Sequence, residues 1–205
     1  MPIWLPRNAV IVGLIGLSAL AGCSSESTPQ RSSSPGSSTA PAAPAPGSPQ
    51  LVSAPLTVPG DMAQAPLDQP RQALIPQGWT IGVWARIPKA RLETWTPDGA
   101  LLVSLPGSGQ IVKLTPKSGA APEQSTMLDG LDQPHGMAFA GNTLYVAESD
   151  QIDAYDYVNG AAVNPRTVAA DLPDAKSPDL NGAYAHALKS VAVGPDGAVY
   201  FSIGS

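Results

Sequence analysis

The chain has 205 residues, a formal net charge of −5, 23 prolines, 5% aromatic residues and one cysteine. An acidic balance without a lysine–arginine cluster argues against nucleic acid as a partner, because phosphate contacts need basic patches. A lone cysteine excludes an internal disulfide.

Residues 1–22 read as a lipoprotein signal peptide. Arg7 and the terminal amine supply positive charge, and Ala9 to Ala21 form an apolar core. That core is shorter than the about 20 residues a spanning helix needs. Leu20-Ala21-Gly22-Cys23 resembles the bacterial lipobox, in which small residues admit the peptidase and the thiol takes a diacylglycerol. A stray thiol is the competing reading of Cys23, and its place at the expected cleavage point favours lipidation. The expectation is a bacterial envelope protein, lipid-anchored to a membrane and facing the periplasm or exterior.

Residues 23–75 read as a disordered linker. Ten prolines lie between Ser24 and Pro70, with many Ser, Ala and Gly and no aromatic residue. Such a segment buries too little apolar surface to offset its ordering entropy. Semi-extended at about 3.1 Å per residue, it would hold a folded body away from a membrane. A tail that serves only solubility is the alternative.

Residues 76–205 read as the folded domain. Gln77 to Ile87 alternates and predicts a strand, with Trp79 and Trp84 in a core. A repeating unit follows: strands at Leu92–Trp95, Ala100–Ser104, Gln110–Leu114 and Ser125–Leu128, with turns at Thr96–Gly99, Pro106–Gly109 and Pro116–Gly119. The second unit has strands at Gly136–Phe139, Thr143–Ala147, Gln151–Tyr155 and Arg166–Ala170. Glu148, Asp150 and Asp153 read as solvated turn residues, favoured over a metal site. The third unit is a hairpin, Leu188–Val193 and Ala198–Ile203 about the turn Gly194-Pro195-Asp196-Gly197, where Pro195 presets φ and Gly197 accepts a positive one. Leu101, Leu144 and Val199 match at offsets of 43 and 55. Four short strands every 40–50 residues or so is the pattern of a β-propeller, and no segment shows a helical period. A sandwich would also accept short strands. The turn chemistry recurs between the first and second strand of each unit and favours the propeller.

The pattern W-x-PDG-x-LLVS with G-x-IVKL-TPKSG in Leu92–Gly119, the run QPHGMAF at Gln133–Phe139, and His186 followed after seven residues by GPDGAVYFSIG resemble the N-terminal part of the glucose/sorbosone dehydrogenase family. The resemblance spans Gln77 to Ser205. It implies a six-bladed, all-β propeller of which two to three blades are present. It also implies an oxidoreductase that uses pyrroloquinoline quinone (PQQ) and calcium to oxidise a sugar or aldose, passing electrons to an external acceptor. His186 would be the general base, taking the proton of the anomeric hydroxyl while hydride passes to the quinone. Imidazole, with a pKa near neutrality, suits that work. A loop histidine capping a strand is the alternative for His186. The ligands of quinone and calcium are expected beyond Ser205, and an incomplete ring is expected to be doubtful as an active enzyme on its own.

The sequence departs from the glucose-oxidising branch at Ala185 and Ser205, where that branch carries carboxylates. Asp179 and Asn181 are candidate substitutes for them. The ending Ile203-Gly204-Ser205 resembles the sorbosone-type branch. His135, the other histidine, is a candidate for the substrate channel, with a turn-holding role favoured over it. Two further classes stay in view. A non-catalytic propeller lipoprotein binding glycans or proteins fits the anchor and the missing acids. A lactonase-type hydrolase would need metal-binding carboxylates that the inner strands do not show.

Overall fold

The protein is described here by a computed structural model, which covers residues 49–178 and 188–203. The chain divides into two units, Met1–Val83 and Trp84–Ser205.

In the first unit, β1 (Leu51–Pro55) pairs antiparallel with β2 (Gln72–Pro76), Val52 opposite Ile75. The connection carries one 3-10 turn at Gly60–Met62, and the Arg71 guanidinium closes it by donating to Pro66 O at 2.6 and 3.0 Å. This corrects the linker expectation for residues 51–75. Proline is tolerated in the pair because Pro55 and Pro76 lie at strand ends. The strand expected at Gln77–Ile87 is also corrected. Gly78 takes φ +85°, and only Gly82 forms a bridge, parallel to Thr57. Trp79 is 42% exposed and belongs to no core.

The second unit is all-β, and its strands form sequential antiparallel meanders. The first sheet is β3 (Glu93–Trp95), β4 (Leu101–Leu105), β5 (Gln110–Lys117) and β6 (Ala120–Leu128), in that order. The second is β7 (Met137–Ala140), β8 (Thr143–Ala147), β9 (Ile152–Val158) and β10 (Ala161–Ala169). The hairpin β11 (Val191–Val193) and β12 (Val199–Phe201) comes third. The first strands of successive sheets lie side by side, β3 by β7 and β7 by β11, and β6 neighbours β10. Sheets stacked face to face with their first strands together are blades of a propeller. The described residues form two blades and the first hairpin of a third.

Strand alternation explains why stacking is stable. On β4, Leu102 faces the second sheet, while Leu101, Val103 and Leu105 face the other way. Leu102 and Ile111 meet Met137, Leu144, Val146 and Tyr155 in one apolar layer. Ala147 and Ile152, on the opposite face of the second sheet, pack with Val191. Each fully buried leucine or isoleucine contributes about 1.5–3 kcal/mol. The irregular stretch from Trp84 to Ala90 covers the free face of the first sheet, with Trp84 against Trp95 at 6.3 Å. The outer strands are longer than the sequence predicts. Pro116 lies within β5, at a register shift between Thr115 and Lys117, so the turn narrows to Ser118-Gly119. β6 begins at Ala120 and β10 at Ala161, with Pro165 likewise at a shift between Val163 and Arg166. The closing hairpin is shorter than expected, three residues a side.

Candidate active site

The first strands of the second and third blades are preceded by short segments that hydrogen-bond to each other. Asp132–Gly136 leads into β7 and runs beside the end of β8: His135 N donates to Ala147 O, Ala147 N to Gly136 O, and Ser149 N to Asp132 O, each at 2.8 Å. Gly136 N donates to Lys189 O at 2.9 Å, which joins this segment to the one leading into β11. A Cβ on Gly136 would stand 2.7 Å from Lys189 O, Ser190 Cα and Val191 N, so only glycine permits this approach.

His135 reaches the same carbonyl, its Nδ1 lying 3.2 Å from Lys189 O. A carbonyl only accepts, so Nδ1 carries the proton and the neutral ring leaves Nε2 as an acceptor. Burial holds the imidazole below its ordinary range, the bond to Lys189 O opposes this, and the charge of Arg91 adds to it. The His135 side chain thus hydrogen-bonds the segment leading into β11, and its Nε2 is left as an acceptor.

Lys189 is fully buried, and its ammonium donates to Ser149 O and, at 2.7 Å, to Pro173 O. Burial lowers its pKa, with Asp174 and Asp150 opposing. Sequence reading passed over it as one polar position in an alternating strand. The structure makes it the pin between the β8–β9 turn and the lead-in of β11.

Glu148 and Asp153 correct the expectation of solvated turn residues, being 4% and 7% exposed. Glu148 Oε2 accepts from Asp132 N at 2.5 Å, and Asp153 Oδ2 from Gln151 Nε2 at 2.8 Å. The turn is internal because Glu148 N donates to Gln151 O, which folds both carboxyls back against the blade end.

Among the described residues no group of three or more His, Cys, Asp or Glu side chains can hold a metal ion. Two basic groups act on this end of the blades: Lys189, committed to backbone carbonyls, and Arg91. They do not make a cradle for a tricarboxylate quinone. Among the described residues there is thus no holding site for PQQ or calcium, whose ligands the sequence reading expects beyond Ser205. His186, Ala185, Ser205, Asp179, Asn181 and Cys23 lie outside the described residues.

No family model and no curated protein matches the chain. Solved structures do resemble it. The PQQ domain of a pyranose dehydrogenase from Coprinopsis cinerea, in its holo form, is 18% identical with a TM-score of 0.47, over 60% of this chain and 29% of that one. A PQQ-bound aldose sugar dehydrogenase from Streptomyces coelicolor is 15% identical with a TM-score of 0.41, over 56% and 37%. A gluconolactonase from Xanthomonas campestris is 21% identical with a TM-score of 0.43, over 66% and 46%. In each case the chain spans less than half of the solved structure's length.

Proposed function

We propose that the chain is part of an envelope-anchored quinoprotein oxidoreductase that oxidises a sugar or aldose, with PQQ and calcium as its cofactors and His186 as the general base. The observation that carries this reading is the joining of the β7 and β11 lead-ins through Gly136 N and Lys189 O. It binds the segment holding His135 to a residue three positions after His186 in the sequence, in a chain whose motifs resemble sugar dehydrogenases. His186 takes the proton of the substrate hydroxyl. His135, by holding the Lys189 carbonyl, steadies the segment that follows the base. Cys23 carries the lipid that fixes the protein to the membrane.

The test is aldose-dependent dye reduction by the native gene product with PQQ and calcium added. His186→Ala is expected to abolish turnover while quinone binding, followed by absorbance, persists. Retained turnover overturns the base assignment. Failure of the native protein to bind quinone overturns the oxidoreductase reading and favours a glycan- or protein-binding lipoprotein. Cys23→Ala is expected to move the protein from the membrane to the soluble fraction.

A further inference from the structure

Two carboxyls at the end of the second blade have no role in the reading above. Glu148 and Asp153 are both more than nine-tenths buried, and among the described residues neither belongs to an ion pair. Val146 is the partner of Asp153 across β8 and β9, and Glu148, two residues beyond Val146, stands on the same face of that hairpin as Asp153. Glu148 Oε2 is occupied by the Asp132 amide and Asp153 Oδ2 by the Gln151 amide, while Asp153 Oδ1 is buried and receives no donor. Two ionised carboxylates would set acceptor against acceptor in a buried place, at a cost that a single shared proton removes. The other titratable groups around the pair are Asp132 and His135 before β7, Asp150 in the turn, Tyr155 on β9, and Lys189 before β11. The Lys189 ammonium donates to Ser149 O and Pro173 O.

We propose that Glu148 and Asp153 share one proton, donated from Glu148 to Asp153 Oδ1, and that this proton latches the Glu148–Gln151 turn to the segment leading into β7. The ligand of the site is the proton, and the donorless Asp153 Oδ1 is the place prepared for it. The turn so held supplies Ser149, whose amide binds Asp132 O and whose carbonyl receives Lys189. Losing the proton would loosen the lead-ins of two neighbouring inner strands together. The latch does not depend on the sugar-oxidation reading.

Burial, above all, pushes Glu148 up to about 7; the Asp132 amide opposes this, while Asp153 and the charge of Asp132 add to it. A carboxyl raised by the fold stabilises it fully below the unfolded value of 4.5, and that stability is lost as pH rises through about 7. The thermal midpoint of the full chain is therefore expected to fall by about 4 °C or more across this window. Glu148→Gln, which donates to Asp153 at every pH, is expected to lack that fall. His135 slopes the other way in both proteins and cancels in the difference. Parallel profiles for the two proteins overturn the latch. Carboxyl carbon NMR of the unsubstituted chain decides the matter separately, even if Glu148→Gln does not fold. One proton leaving the pair near neutral pH supports the latch, and both carboxyls ionising in the ordinary acid range overturns it.

Discussion

Lys189 and His135 show how much a single side chain does at the inner end of these blades. Lys189→Met keeps the apolar stem but leaves Ser149 O and Pro173 O without their donor. We expect a loss of about 2–3 kcal/mol, read as a lower urea midpoint with unchanged slope. His135 is half-buried, and desolvation lowers its pKa, so its imidazole carbon shift is expected to titrate below the ordinary 6.5, with His135→Gln assigning the signal. A histidine lowered by the fold destabilises it as pH falls below that value. A transition at or above 6.5 contradicts the desolvated imidazole. At this scale the sequence was partly legible. His135 stood out because it is titratable and precedes an apolar alternating run. Glu148 and Asp153 did not, because a carboxylate beside a turn is solvated by default and only the tertiary fold buries these two.

Among the elements, the inner strands were the most legible. They are short, apolar and bounded by Pro-Asp-Gly or Gly-Asn turns, so β4, β8 and the closing hairpin follow from alternation and turn chemistry together. The outer strands were less so. β6 and β10 are largely exposed and polar, and each carries a proline that breaks its pattern. An edge strand accepts proline where its amide would face solvent or a bulge, and periodicity does not register that. Gln77–Ile87 failed in the opposite way: its alternation is real, but Trp84 and Ile87 cover a neighbouring sheet without joining one. The sharpest element-level expectation concerns the β7 lead-in. Gly136→Ala forces backbone to move, since the three nearest atoms all belong to the backbone of Lys189–Val191. A loss on the order of 1–3 kcal/mol is expected from chemical unfolding. Gly60→Ala, with open space around it, is the control.

Across the second unit apolar layers hold the blades together, and a polar clasp registers the first two sheets. Tyr157 donates to Asp98 Oδ1 at 2.8 Å, and Lys113 to Gly160 O at 2.8 Å, both across the gap between the first and second sheets. The Thr96 hydroxyl, above all, holds Asp98 below the usual carboxylate range; burial opposes it, and Tyr157 and Lys113 add to the lowering. Tyr157→Phe removes one donor while keeping the edge-on contact with Phe139 at 5.3 Å. It is expected to cost about 1 kcal/mol in unfolding free energy. No loss at all would mean that the clasp only decorates the interface.

Within each complete blade the strands lengthen outward, from three residues in β3 to nine in β6 and from four in β7 to nine in β10. A blade is therefore a wedge, narrow where neighbours crowd and broad where water is. The broad margin has room to evolve: at Gly119, a tight bend with no atom near its absent side chain, a grafted peptide or affinity tag would hang clear of the packed layers.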